Sequence, residues 1–492
     1  MLALHLITNL VSPYGFHRDE LLYVAMGRHL RLWGMDFPPA MAILYDATRL
    51  LGDSRIALRL TPALAATALV LLSALMAREI GGGRFAQGFS ALAVGISTFF
   101  LRSGSLFHPV VFDALWWTLG FYALLRLCSG DPRPDRWWLL LALAGGVGLL
   151  TKFSILLLGF AVLVGLLATS WRRTLPTRWP WLVLALALAI GSPSIVGQMA
   201  LGWPLVGQMK ALQDYQLQHV SVGGFFLEQA LLGPAMLVAA AGLGALLLAP
   251  SLRAYRLVGW TCLTVWVMLV ALHGKGYYAG GTYAVLFAAG AAALERAGAR
   301  AGAQLRGWAV GLTAGYGLVA LPFGLPILKP AAMEVFAHAV GGAAALRDVQ
   351  GQMLRVPQDY ADMLGWPDRV ALLGTAYQAL SPVERGQAVI IAGSYGLAGA
   401  ADFYGPGHGL PPAVCSVGSY WFFGPGTRPG SVAIAIGVRL EDLRTLYDSI
   451  EVAGRITNPW AARWEQDLTV HVARRPRTTL QAIWPSWSGR FY

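Results

Sequence analysis

Residues 137–170 read WWLLLALAGGVGLLTKFSILLLGFAVLVGLLATS, with Lys152 as the only charged side chain. A bilayer core about 30 Å thick is crossed by about 20 residues of helix. The stretch is too long for one span, and a lone Lys amid hydrocarbon is costly unless it reaches water or a phosphate. We therefore read two spans, 137–151 and 154–170, broken at Lys152. Outward from this point the same pattern recurs at 56–77, 86–101, 111–127, 180–201, 225–248, 257–272, 278–294 and 308–328. The whole chain agrees. Of its 492 residues 56% are hydrophobic and only 13% charged, where a soluble chain carries about a quarter. Residues 1–12 (MLALHLITNLVS) are apolar but short for a crossing, and read as the outer end of a first helix whose beginning is missing or very short. The sequence thus describes a polytopic helical membrane protein.

The net charge of +12 is explained by arginines in short connecting loops, which set topology, and not by nucleic-acid binding. The loops alternate. One set carries Arg78 and Arg84, then Arg126, Arg133 and Arg136, then Arg172, Arg173 and Arg178, then Arg253 and Arg256, then Arg296, Arg300 and Arg306. The intervening loops carry Arg102, Lys152, Lys210 and Lys275. The positive-inside rule assigns the first set to the cytoplasm, so the first loop, 13–54, and everything after residue 329 face outward. Arg18, Arg28, Arg31 and Arg49 break that pattern within the first loop. Cys128, Cys262 and Cys415 are not placed as a disulfide framework. The Trp pairs at 116–117 and 137–138 read as interface anchors.

Within 13–54, Asp19-Glu20 opens a helical pattern that puts Leu22, Met26, Leu30 and Trp33 on one face and ends at Gly34. Such a helix is expected to lie along the membrane surface. After Asp36-Phe-Pro-Pro39, residues 40–51 read as a second one. Past residue 330 the composition changes. Residues 386–392, 431–437 and 467–473 read as strands and 440–452 as an amphipathic helix, which together imply a small α/β domain. The glycine-rich Gly393-Ser-Tyr-Gly-Leu-Ala-Gly-Ala-Ala-Asp402 follows the first strand. It fits either a phosphate cradle or a tight strand-to-helix turn. The expected division is 1–329 for the membrane unit and 330–492 for the extracytoplasmic domain.

The polar outliers gather at the outward ends of the spans: Asp19, Glu20, Asp36, Arg102, His108, Asp113, Lys152, His273, Lys275, Tyr277 and Tyr278. Carboxylates and cations converging on one membrane face suit acid/base chemistry on an anionic, lipid-attached substrate. A carboxylate takes a proton from an acceptor hydroxyl, and cations stabilise charge on a departing phosphate. Each residue also has a structural reading. Asp19 serves as a helix cap, Asp36 as a turn cap, Lys152 as a snorkelling side chain, and the histidines as hydrogen-bonding groups. No His, Cys and carboxylate spacing predicts a metal site; a divalent metal is allowed without being expected, and no cofactor is required. A transporter or flippase for an anionic lipid or solute is the alternative. It calls for charges near the midplane and inverted repeats, which the sequence lacks. A membrane anchor presenting a sugar-binding domain leaves Asp113 and Lys152 without a purpose.

The acidic pair 19–20, Asp36-Phe-Pro-Pro39, Phe112-Asp-Ala-Leu-Trp-Trp117, Gly148-Leu-Leu-Thr-Lys-Phe-Ser154 and Lys275-Gly-Tyr-Tyr278 together resemble the GT-C glycosyltransferases. The likeness is to bacterial members of the family 39/83 group, which includes protein-mannosyltransferase-like enzymes and the aminoarabinose transferases of lipid A. Ala400-Ala-Asp-Phe-Tyr-Gly-Pro406 and Gly418-Ser-Tyr-Trp421 resemble the extracytoplasmic domain of a bacterial subgroup. The resemblance implies a mainly helical GT-C membrane fold with about 11 transmembrane helices in a bacterial inner membrane, its C-terminal domain in the periplasm. It implies inverting transfer of a sugar from a polyprenyl-phosphate donor to an extracytoplasmic acceptor: a glycolipid, lipopolysaccharide or protein. Under that likeness Asp19 is the general base, Glu20 its acidic neighbour, Asp36 the acid before Pro-Pro and Asp113 the second-loop acid. Arg102, Lys152, Lys275 and Tyr278 hold donor phosphate. One departure is Phe37, where the lipid A transferases carry a Lys.

Overall fold

The computed structural model describes residues 1–301 and 303–487, with backbone alone for 298–301. Its first two thirds are helices: α1 Leu2–Val11, α2 Arg18–Arg28, α3 Ala40–Thr48, α4 Arg55–Glu79, α5 Arg84–Ile96, α6 Thr98–Gly104, α7 Pro109–Cys128, α8 Pro134–Thr151, α9 Ile155–Ala168 and α10 Arg178–Ala200. Then come α11 Pro204–Tyr215, α12 Val222–Ala230, α13 Ala235–Leu248, α14 Arg256–Ala271, α15 Gly280–Ala301, α16 Ala303–Gly324 and α17 Pro330–Ala339. These follow the apolar runs read from the sequence. By length and apolarity α4, α7, α10 and the stretch Pro250–Ala271 can each cross a bilayer, and the bent pairs α5–α6 and α12–α13 raise the number to six. The apolar α9 is shorter, 14 residues. The break at Lys152 is real: its backbone is extended (φ −162°, ψ 135°) between α8 and α9.

Small residues set how these helices pack. A Cβ on Gly242 of α13 would lie 2.1 Å from the Leu286 carbonyl of α15, and one on Gly290 would lie 1.9 Å from that of Val238. The two backbones are therefore in direct contact, as small residues allow in membrane bundles. At one end of the bundle, Arg126 pairs with Glu79 (2.5 Å) and with Asp131, which also holds Arg136 at 2.9 Å. The Tyr255 hydroxyl donates to the Glu79 carbonyl, Arg296 to that of Ile80, and the Gly83 amide to Glu295. Loops from the arginine-rich set thus interlock at one end. The side chain of Arg300 lies outside the described residues.

The remainder is α18 Gln358–Ala361, α19 Trp366–Gln378, α20 Pro382–Gln387, β1 Ala388–Ala392, α21 Tyr395–Tyr404, β2 Ala413–Val414, α22 Ser419–Phe423, β3 Val432–Ile436, α23 Leu440–Leu446, β4 Tyr447–Thr457 and β5 Asp467–Pro476, with α24 Leu480–Ile483 after them. The sheet order is β2-β1-β3-β5-β4. β1 pairs in parallel with β2 and β3, whereas β5 runs antiparallel to β3 and β4. The central β1 and β3 are buried at every position, which is why they read as unbroken apolar runs. The segment 440–452 departs from its expected helix. The helix stops at Leu446 and the chain continues as edge strand β4, because Tyr447-x-Ser-Ile pairs with β5 rather than sustaining a helical face.

Helix α2 is also shorter than its sequence pattern, ending at Arg28. It is enclosed by protein rather than presenting a free apolar face. Leu21, Leu22, Val24, Ala25 and Met26 are all buried, and α2 packs against α21 on one side and α3 on the other. The C-terminal segment thus covers the first loop, and that contact builds the site.

Candidate functional site

The start of α2 separates two adjacent acids. His17 caps the helix: its Nδ1 accepts from the Asp19 amide (3.1 Å), while its own amide donates to Glu20 Oε2 (2.8 Å). This reciprocal cap turns Glu20 into the protein. There Arg59 of α4 donates to both its oxygens (2.8 and 2.6 Å) and the Phe107 amide to one of them (2.8 Å). Both partners are fully buried. Burial opposes ionisation of Glu20, but Arg59 outweighs it and holds the carboxyl below the usual range. The expected role of Glu20 beside the reaction is therefore corrected: its oxygens are filled by a fork and two amides, and it does not line the cavity.

Asp19, one position earlier on the helix, faces a cavity of about 1770 Å³. The Tyr395 hydroxyl of α21 donates to its Oδ1 (2.8 Å), and His108 Nε2 lies 3.3 Å from its Oδ2. His108 caps α7 by accepting the Val110 amide on Nδ1 (3.3 Å). That bond leaves the ring proton on Nε2, aimed at Asp19. Burial raises the Asp19 carboxyl, yet the His108 hydrogen bond and the nearby Arg18 charge hold it well below the usual range. It is ionised and oriented.

Asp113, Lys152, Lys275 and Tyr278 line the same cavity. Asp113, in the second turn of α7, accepts from Trp117 Nε1 (3.1 Å) and from the Ser154 hydroxyl (2.8 Å). Ser154 sits in the turn that carries Lys152, so α7 and the α8–α9 break fix one another. The Lys152 ammonium lies 4.8 Å from the Tyr278 ring and 5.6 Å from Tyr277. Among the described residues it has no carboxylate within ion-pair distance. Lys275 bonds the Gln216 side chain, and burial lowers its pKa.

One other expectation is corrected. Asp36 is buried beneath the C-terminal segment and accepts from the Ser419 hydroxyl (2.9 Å); Phe37 and Pro38 reach the cavity and Asp36 does not. Burial pushes its carboxyl up to about 6. Arg102 lines the cavity, but its guanidinium is engaged. It pairs with Asp359, donates to the Phe323 carbonyl and stacks 4.3 Å over Tyr360. It joins α6 to α18 while still lining the cavity. The reasoning from sequence missed Tyr395, His17 and Asp362. The first lies in the glycine-rich turn, which is a strand-to-helix connection: a Cβ on Gly393 would meet the Gly437 carbonyl at 1.9 Å, and Ser394 caps α21. No cluster of three or more His, Cys, Asp or Glu side chains is placed to hold a metal among the described residues.

The cavity wall also contains Leu156, Met209, Leu272 and Val319, each about half exposed, so an apolar stretch of wall adjoins the charged groups. The described fold is thus a mainly helical membrane unit with a charged cavity against a small α/β segment.

Comparison with solved structures agrees on the fold. ArnT from Cupriavidus metallidurans in the apo state superposes with a TM-score of 0.62 at 17% identity, covering 95% of this chain and 96% of that one. ArnT bound to undecaprenyl phosphate gives 0.60 at the same identity. The archaeal oligosaccharyltransferase AglB from Archaeoglobus fulgidus, in complex with an inhibitory peptide and a dolichol-phosphate, gives 0.50 at 12% identity, covering 84% of this chain and 64% of that one. Within the sequence, residues 36–196 match the family described as dolichyl-phosphate-mannose-protein mannosyltransferase. The matched stretch contains Asp113 and Lys152 and begins after Asp19. No curated protein matches by sequence.

Proposed function

We propose that this protein is an integral-membrane inverting glycosyltransferase. It moves a sugar from a polyprenyl-phosphate donor to an acceptor at the outer face of a bacterial inner membrane. The donor's isoprenoid tail lies along the apolar stretch of wall, and its phosphate meets Lys152, Lys275 and Tyr278. Asp19 takes the proton of an acceptor hydroxyl. That oxygen forms the bond to the anomeric carbon, the bond from this carbon to the phosphate oxygen breaks, and the electron pair leaves on the lipid phosphate. A single displacement inverts the anomeric centre. The lysines offset the second charge that develops on the phosphate, and Asp113 orients the turn that carries Lys152. In this reading residues 1–329 form the catalytic membrane unit, with the outer loop 13–54, and residues 330–492 form a periplasmic domain.

The observation that carries the reading is that an oriented, ionised Asp19 and a Lys152 without an ion-pair partner among the described residues line one cavity with an apolar stretch of wall. The undecaprenyl phosphate and dolichol-phosphate in the two neighbouring structures support the donor class. The test is mass spectrometry of envelope glycans from a deletion strain complemented with wild type or Asp19→Asn. Loss of a general base costs about 10²–10⁴ in rate, so the variant is expected to fold and to leave the glycan unmodified. Full modification by Asp19→Asn would remove Asp19 from the mechanism.

A further inference from the structure

Part of the cavity is walled by the C-terminal segment through Ser394, Tyr395, Trp464 and Glu465, together with Arg18 and Asp362. The polar groups of this lobe are not matched to one another. Arg18 stacks its guanidinium over the rings of Tyr395 (4.4 Å) and Trp464 (5.3 Å), yet its buried Nε has no hydrogen bond. Asp362 and Glu465 are each only 2% exposed. Asp362 Oδ1 has Arg18 Nη1 no nearer than 3.9 Å, and Glu465 has Arg369 at 3.4 Å with the Ser394 hydroxyl beside it. None of these closes a hydrogen bond of good geometry onto Asp362 Oδ1 or either oxygen of Glu465. His17 Nε2, 3.7 Å from the other Asp362 oxygen, is likewise unfilled.

Buried donors and acceptors left open side by side call for a ligand that offers both. Burial raises the Asp362 and Glu465 carboxyls, so each offers an O–H donor beside an acceptor oxygen, and Arg18 adds a fixed donor. Hydroxyl groups donate and accept at the same atom, and adjacent hydroxyls on a ring answer alternating donors and acceptors on a wall. Trp464, 39% exposed at the rim, adds a flat apolar face of the kind that covers a sugar's C–H surface. One common way to hold an extended peptide is to add it to a free strand edge. The exposed edge strand β4 contributes nothing to this lobe, whose lining residues from the sheet region come from turns and helix ends.

We propose that this lobe is the acceptor subsite and that it binds a carbohydrate ring, so that the hydroxyl glycosylated beside Asp19 belongs to a glycan rather than to a protein side chain or a phosphate. This rests on the glycosyltransferase reading above and fixes its acceptor class. The acceptor's hydroxyl proton passes to Asp19 as its oxygen bonds the donor's anomeric carbon and the lipid phosphate departs.

The experiment uses the full chain in proteoliposomes, isotope-labelled polyprenyl-phosphate sugars extracted from the native strain as donor, and envelope membranes of the deletion strain as titrated acceptor. Trp464→Ala, at a half-exposed rim position that leaves the fold intact, is expected to raise the half-saturating acceptor at least ten-fold with donor half-saturation unchanged. Glu465→Gln is expected to act in the same direction. Mass spectrometry should find the label on a carbohydrate hydroxyl. An unchanged acceptor dependence in Trp464→Ala, or label on Ser, Thr or phosphate, overturns the proposal. Asp19→Asn in the same assay separates the two claims: its full activity would sink the glycosyltransferase reading, whereas its inactivity beside a normal Trp464→Ala would sink only the acceptor subsite.

Discussion

Arg126 and Lys152 are both cations at helix ends of one bundle, and the fold treats them in opposite ways. Arg126 is held between Glu79 and Asp131, with Arg136 closing the second acid and Trp137 beneath both guanidinium groups. Lys152 faces the rings of Tyr277 and Tyr278 and, among the described residues, no carboxylate within ion-pair distance. The interlocked end contributes to stability because Arg126, Glu79, Asp131 and Arg136 answer one another. The cavity end forgoes part of that stability, since a buried polar group without a partner costs about 1–3 kcal/mol. Such sites persist where a ligand completes them.

The sharpest way to break the contrast is Lys152→Met. If its ammonium waits for a phosphate, transfer should fall about 10²–10³-fold, as when one preorganised donor is removed from a reacting charge. The melting temperature should change little, because no carboxylate partner is lost and only the contact with the Tyr277 and Tyr278 rings is weakened. Retained transfer would make Lys152 a snorkelling side chain like any other.

Asp36 gives a smaller effect and tests the contact between the first loop and the C-terminal segment. Its folded pKa, about 6, lies above the unfolded value near 4. The folded protein therefore binds this proton more tightly. Its contribution is fully present below about pH 4 and is lost as pH rises through 6, a difference of about 1–3 kcal/mol by pH 7. Asp36→Asn keeps an acceptor for Ser419 and never ionises. The melting temperature of the variant minus that of wild type should grow between pH 4 and pH 7; a flat difference would mean that Asp36 is not buried under the C-terminal segment.

Arg126→Ala is the smallest expected change and the control for the other end. Asp131 keeps Arg136, so the loss should be about 1 kcal/mol, read as a lowered melting temperature with transfer unchanged.

Much of the membrane unit was legible because hydrocarbon thickness sets span length, and a run of apolar residues records it directly. The break at Lys152 was legible for the same reason. The acids were not. Asp19 and Glu20 are neighbours of the same charge, yet one reaches the cavity and the other is locked to Arg59. Two signals pointed that way: His17 three residues before Glu20 has the spacing of a capping box, and Arg59 inside an apolar run demands a buried acid. Tyr395 left no such mark, because its partner lies at the far end of the chain and only the packing of α21 on α2 brings them together.

By itself, then, the sequence determined which stretches are apolar, that one of them breaks at Lys152, and that charge collects at their ends, since these follow from local composition; the bends within 86–101 and 225–248 came only with the structure. Which charges answer each other and which stay open for substrate was decided by tertiary structure. That distinction depends on contacts between residues hundreds of positions apart, such as Asp19 with Tyr395 and Asp36 with Ser419. A hydrogen bond is a property of the pair and of its burial, and neither partner carries it alone.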